Sequence, residues 1–252
     1  MSNSATAKTS TTASSPNSAS NQAPEQVTVD AWAHPAVPKR PPSWGAAQRE
    51  PIEIVACGAL AGHIREIAAR RGWNLTVRPL PAALHNRPQQ IGGDAKRAIA
   101  AAQEKGARAI LAYADCGTYG ALDDLAKKAG VSRLPGLHCY DLYAGEEQIE
   151  RLFAEEPGTY LLTDYLIRSF DKAVIKPLGL DRHPDLWTDY FGHYRRLVWL
   201  AQQPTSELAE AAAHIASKFN LPLTRIDTST TGLESALAQV IEPPPSRDES
   251  NV

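Results

Sequence analysis

The sequence is short of several things, and each shortage removes a class of function. It has no surplus of positive charge, since 26 Lys and Arg stand against 28 Asp and Glu for a formal net charge of -2. Neutralising nucleic-acid phosphates needs a clustered positive excess, so no nucleic-acid partner is expected. It has no apolar run of bilayer length, and residues 1–23 are mostly Ser, Thr, Ala and Asn without the apolar core of a secretory signal. The expectation is a soluble, cytoplasmic protein without a membrane partner. No G-x-G-x-x-G follows the first apolar run, and neither a G-x-x-x-x-G-K-[ST] loop nor a G-x-S-x-G elbow occurs. Dinucleotide binding, ordinary NTP hydrolysis and α/β-hydrolase chemistry are therefore disfavoured.

Cysteine is scarce too, at three residues: Cys57, Cys116 and Cys139. Thiols stay reduced in the cytoplasm, so an odd set reads as metal-binding, catalytic or simply buried, and not as a disulfide framework.

What is present is enough apolar sequence for a sizeable core, 43% of 252 residues. Residues 1–49 carry Ser/Thr/Asn tracts and scattered prolines and read as a disordered arm, although Trp32 and Trp44 could dock on the rest. Residues 243–252, opening with Pro243-Pro244-Pro245, read as a disordered tail. Between them, residues 50–242 are expected to form a single α/β domain. Its predicted order is a strand over 52–56, a helix from Leu60 to Gly72, a strand over 74–79, and a helix from Pro88 to Gly106. A strand over 108–114, a helix near 119–129 and a short strand ending at Cys139 follow. The second half adds a helix over 146–154, a strand over 159–163, a helix over 164–175 and a long aromatic helix over 185–202. A helix over 206–219 with a cap-like Ser206, a strand over 223–227 and a helix over 232–241 complete it. Short strands alternating with helices predict a mainly parallel sheet with helices on both faces, Rossmann-like layering without the dinucleotide fingerprint.

Each cysteine closes or follows one of the apolar runs, and ligands of open parallel sheets gather where strands end at their carboxyl edges. Three thiolates are soft ligands suited to zinc or an iron–sulfur cluster, and three leave a coordination position open for water or substrate. The competing reading is a set of small buried hydrophobes, because free cysteine is among the most buried residue types. One or two redox or catalytic cysteines are a third. His85 and Arg87 precede Pro88 at a predicted helix start, where free amides and the helix dipole favour an anion, so both are candidate substrate-binding residues. Asp115 and Asp164 flank strand ends and are candidate catalytic carboxylates; the bland alternatives are a turn-capping Asp115 and an N-capping Asp164. Tyr113, Tyr119 and Tyr140 lie near the same loops as pocket-lining or packing residues. His138 is read as structural rather than ligating, and His63, His183, His193 and His214 as structural or exposed.

The ordered series Ala56-Cys57-Gly58, Leu84-His85-Asn86 with Pro88, Asp115-Cys116-Gly117, His138-Cys139-Tyr140, Gly158-Thr159 with Leu162-Thr163-Asp164, Tyr190-Phe191 with Tyr194, and Gln202 resembles the bacterial and archaeal family of domain of unknown function 1638. The resemblance spans about residues 52–241. It implies an association with corrinoid methyl-transfer systems, which suits a thiolate-bound zinc activating a thiol for methyl transfer and suits a sulfur-handling iron–sulfur enzyme equally. The expected function is a metal-dependent enzyme acting on a small-molecule substrate, in methyl transfer or sulfur chemistry, with Cys57, Cys116 and Cys139 as metal ligands. The alternative is a non-catalytic metal- or cofactor-binding accessory protein, with a corrinoid methyl-transfer system as its partner.

Overall fold

The computed structural model of the chain describes the backbone of residues 25–27 and all of residues 50–242. The rest of the expected arm, with Trp32 and Trp44, and the tail 243–252 lie outside the described residues.

The strands divide between two four-stranded sheets, and every pairing in both is parallel. The first sheet has the order β3 (Leu75–Leu80), β2 (Ile52–Cys57), β4 (Arg108–Ala112), β5 (Ser132–Arg133). The second has the order β1 (Glu25–Val27), β8 (Leu223–Asp227), β7 (Arg196–Ala201), β6 (Thr159–Thr163). Continuous apolar runs such as Ile54-Val55-Ala56 and Ala109-Ile110-Leu111-Ala112 are buried on both faces, the pattern of strands covered on each side by crossover helices. Glu53, also buried, is held by an ion pair to Arg78 on the neighbouring strand.

Parallel neighbours require long crossovers, and here helices supply them. Helix α1 (Ala61–Arg71) joins β2 to β3, and α2 (Pro88–Gln103) carries the chain back past β2 to β4. The direction of winding therefore reverses between β2 and β4. Helix α3 (Ala121–Ala129) leads to β5, and α4 (Asp141–Ala144) and α5 (Glu146–Glu155) bridge to the second sheet. There α6 (Asp164–Phe170), α7 (Trp187–Phe191) and α8 (Ser206–Phe219) follow. The cap of α8 is Thr205, whose hydroxyl accepts from the Leu208 amide at 3.3 Å, one residue before the expected Ser206.

The last helix, α9 (Thr231–Ile241), leaves the second sheet and packs on the first half. Its Leu233, Leu237 and Ile241 belong to the same core as Ile54, Ile64 and Leu111. Burying each is worth roughly 1.5–3 kcal/mol. Ion pairs from Arg70 and Arg71 to Glu234, and from Arg71 to Glu242, hold its outer side. Arg108 caps its end by donating to the Val240 and Ile241 carbonyls at 3.0 and 2.8 Å.

Two predicted elements are corrected. The strand expected to end at Cys139 stops at Arg133, because Pro135 has no amide to donate and Gly136 takes φ +99°. Cys139 instead lies in the turn before α4. The aromatic helix expected over 185–202 is one turn of 3-10 helix, the short α7, and then β7. Leu197-Val198-Trp199-Leu200-Ala201 is a fully buried run, and the sheet claims it. Trp187 and Phe191 pack with Phe170 and Phe219 in the second core, so these rings serve as core and not as a lid over the cysteines.

Candidate functional site

The winding reverses between β2 and β4, and the carboxyl edge at such a reversal is the usual ligand position in open parallel sheets. Cys57 is the last residue of β2, Cys116 follows β4 by four residues, and Cys139 follows β5 by six. Three adjacent strands thus send their thiols to one place. The Sγ atoms of Cys116 and Cys139 are 3.8 Å apart, and both thiols interact electrostatically with Cys57. Cys57 and Cys116 are buried and Cys139 is half-buried.

Local backbone explains why these turns hold. Cys116 itself is left-handed (φ 51°), as are Gly117 (φ 79°) and Tyr119 (φ 53°). For Cys and Tyr this conformation costs on the order of 1 kcal/mol or more each, and such strain concentrates at functional sites. The loop is tied down by Asp115: Oδ1 accepts from the Thr118 hydroxyl (2.6 Å) and the Gly120 amide (3.0 Å), and Oδ2 from the Tyr119 amide (2.9 Å). Burial pushes the Asp115 carboxyl up, but these three donors outweigh it and hold the group below its ordinary value. The Asp115 and Cys116 amides donate to the Gly136 and Leu137 carbonyls, fastening this loop to the one that carries Cys139. Asp141 fixes that second loop by accepting from the Leu137 and His138 amides, both at 2.8 Å. At Cys57 the close approach is steric: a Cβ on Gly58 would lie 2.7 Å from the Leu80 carbonyl oxygen and 3.0 Å from the Ala82 nitrogen, so only glycine fits.

The electrostatics of the three thiols are unequal. Hydrogen bonds from Cys139 and His85, the His85 charge and the Cys139 amide overcome burial and bring Cys116 down to about 5. Cys57 is lowered, chiefly by Cys139, with burial opposing and the Ala59 amide assisting. Cys139 is pushed well above its ordinary value by Cys116, Cys57 and burial. Its bond to Cys116 raises His85 against some desolvation. Cys116 is thus the most readily ionised of the three thiols, and His85 interacts with it.

His85 lies in the single turn of 3-10 helix over Ala82–Asn86, exposed, as is Arg87. Among the described residues no side chain pairs with the Arg87 guanidinium. Pro88, first residue of α2, lies within contact distance of Gly117, where an added Cβ would be 3.6 Å from its Cγ. The start of α2 therefore borders the Cys116 loop. On the loops that carry Cys116 and Cys139, Tyr119 is 97% exposed and Leu137 61% exposed. The structure brings together Cys57, Cys116, Cys139 and His85, with Arg87 and Asp115 on the bordering loops.

Asp164 stands elsewhere, at the carboxyl end of β6 in the second sheet, fully buried. Its Oδ1 accepts from Trp199 Nε1 (2.8 Å) and the Gln202 amide (3.3 Å), its Oδ2 from the Gln203 amide (2.7 Å). The N-cap of α6 is Thr163, accepting from Leu166 at 3.2 Å. Nearby features escaped the sequence reading. His63 on α1 is buried and its Nδ1 is 2.8 Å from the Tyr143 hydroxyl on α4, a pair 80 residues apart that no local pattern announces. Burial pushes the His63 imidazole down and the Tyr143 hydroxyl up, so both stay neutral. His138 is exposed and stacks on Tyr140 with ring centroids 6.2 Å apart.

Among the described residues no set of three or more His, Cys, Asp or Glu side chains is drawn together as a formed metal-binding group. The Cys116 and Cys139 thiols are hydrogen-bonded to each other. No helix among the described residues is long and apolar enough to cross a membrane. Comparison with curated proteins and with solved structures finds no match. The model of the family described as a protein of unknown function, DUF1638, matches residues 61–237, a span that holds His85, Cys116 and Cys139 and begins four residues after Cys57; the chain belongs to this family.

Proposed function

We propose that the protein is a metal-dependent enzyme acting on a small anionic molecule, with Cys57, Cys116 and Cys139 as thiolate ligands of a zinc ion or an iron–sulfur cluster. The observation that carries this reading is the 3.8 Å between the Cys116 and Cys139 sulfurs. Zinc–sulfur bonds of about 2.3 Å in a tetrahedron separate their sulfurs by about 3.8 Å, so this pair has the spacing of two ligands already. A metal there would act as a Lewis acid, lowering the pKa of a bound water or thiol at its open position.

The chain's own residues do the rest. Asp115 fixes the left-handed turn of Cys116, and Asp141 fixes the loop of Cys139. His85, exposed beside Cys116, is placed to hold or give a proton there. Arg87 and the positive end of the α2 dipole favour an anionic group on the substrate. In this reading Asp115 and Asp164, whose oxygens already accept three donors each, hold loops in place, and acid–base work falls to His85.

One observation favours the accessory-protein reading: Tyr119 and Leu137 expose apolar surface on two loops of the site, as a face for a partner protein would. Metal analysis of protein purified without oxygen, with its visible absorption spectrum, tests the proposal. About one zinc per chain without colour, or iron and acid-labile sulfide with brown absorption, is expected. Metal-free protein after growth with either metal overturns it. Under the enzyme reading Tyr119→Ala with Leu137→Ala leaves turnover of free substrate intact.

A further inference from the structure

Tyr113 follows β4 directly and is 2% exposed. Its hydroxyl has no hydrogen-bond partner among the described residues. A buried hydroxyl left unpaired costs roughly 1–3 kcal/mol, and native structures keep few of them, usually where a ligand, ion or water completes the bond. The surroundings say what kind of group is missing. The hydroxyl lies against the Cys57 sulfur without reaching hydrogen-bond geometry, and Cys116 and Cys139 are both close enough to act on it. A tyrosine hydroxyl, whose ordinary pKa is about 10, is an O–H donor at neutral pH.

We propose that the Tyr113 hydroxyl is a positioning donor for a small anion, of hydroxide or thiolate size, seated against the three sulfurs at the position they leave open. The inference rests on the three-thiolate reading of the site and adds to it the group that would steer the exogenous ligand. A donor at this place does two things. It favours an anion over a neutral molecule of the same size, and it sets the direction from which the anion meets the site. The orphaned hydroxyl is thereby explained by the same vacancy in coordination that three ligands leave on a four-coordinate ion.

Cobalt(II) is the probe, because its absorption reports thiolate ligation and changes when a small anion joins the coordination sphere. Full-length protein, prepared metal-free under reducing conditions and loaded with one equivalent of cobalt(II), is titrated with azide beside the Tyr113→Phe variant. The expected result is the same cobalt stoichiometry and the same sulfur-to-cobalt charge-transfer band in both proteins. Azide affinity should fall about tenfold in the variant, about 1.4 kcal/mol. Equal azide affinity in the two proteins overturns the inference while leaving the metal site standing. Loss of cobalt from a folded variant also overturns it, making Tyr113 a support for the thiols. Wild-type protein that binds no cobalt overturns the three-thiolate reading, and this inference with it. If Tyr113→Phe does not fold, 3-fluorotyrosine placed at position 113 serves instead: its fluorine resonance should shift on azide addition to the cobalt-free, zinc-loaded protein, and a resonance indifferent to azide rejects the assignment.

Discussion

The sulfurs of Cys116 and Cys139 meet at 3.8 Å although their residues are 23 positions apart and follow different strands. The meeting depends on two backbone hydrogen bonds between their loops, from the Asp115 amide to the Gly136 carbonyl and from the Cys116 amide to the Leu137 carbonyl. If the spacing exists to bind metal, replacing either cysteine by serine, or Cys57 likewise, should reduce zinc or iron content at least tenfold while far-UV circular dichroism stays unchanged. Elemental analysis of the three variants decides this; full metal content in any one of them removes that residue from the ligand set.

The Cys116–His85 pair predicts a pH signature in metal-free protein. A thiol lowered to about 5 in the fold, against roughly 8.5 in the unfolded chain, adds stability that is complete above the unfolded value and disappears as pH falls through about 5. His85, raised by its partner, contributes with the opposite sign: its share is complete below about 6.5 and disappears as pH rises through its elevated value. Alkylation of Cys116 by iodoacetamide, followed by mass spectrometry, should therefore already be fast at pH 6. His85→Ala should move the midpoint upward. A wild-type midpoint near that of a free thiol would refute the pairing.

Arg87→Ala should leave metal content unchanged and weaken binding of an anionic substrate about tenfold, about 1.4 kcal/mol. Isothermal titration with the substrate, once it has been found by screening small carboxylates, phosphates and thiols, gives the number. Unaltered affinity would move the anion contact away from the start of α2.

Asp164→Ala strips the acceptor from Trp199 Nε1 and from the amides of Gln202 and Gln203. Leaving such donors buried and unpaired should destabilise the protein by about 2–4 kcal/mol, read as a lower urea midpoint. A variant as stable as wild type but inactive would return Asp164 to the catalytic list.

Gly58→Ala forces a methyl group to 2.7 Å from the Leu80 carbonyl oxygen. The strand end must shift, at about 1–3 kcal/mol, and Cys57 shifts with it. Lower metal affinity together with a lower urea midpoint is the expected pair of results.

Much of this was legible in the sequence because it is local. The runs ending at Cys57 and Ala112 are apolar apart from Glu53 and Arg108, and the helices α1, α2 and α8 announce themselves by spacing and by Gly72, Pro88 and a cap-like start one residue from the true one. Cys57 and Cys116, placed after two such runs, could be assigned to one sheet edge before any coordinates, whereas Cys139 lies in a turn six residues beyond its strand. What was not legible depends on distant partners. The buried His63–Tyr143 pair and the unpaired Tyr113 hydroxyl have no signature in spacing. The run 197–201 reads as helix or strand until β6 and β8 are there to pair with it on either side. The transfer of α9 to the other half is invisible for the same reason, since its apolar face would suit either core.

That transfer bears on how the protein is made. When the ribosome has released the first 160 residues, the first sheet and its helices exist as sequence, but the wedge supplied by Leu233, Leu237 and Ile241 is still unsynthesised. The early half must wait with an uncovered apolar face until residues 231–241 emerge, and closing so long a loop is slow. Cys57 and Cys116 spend that interval in an unfinished core, so the time available for them to capture a metal, or to be oxidised, is set by the translation of a helix more than a hundred residues downstream of either.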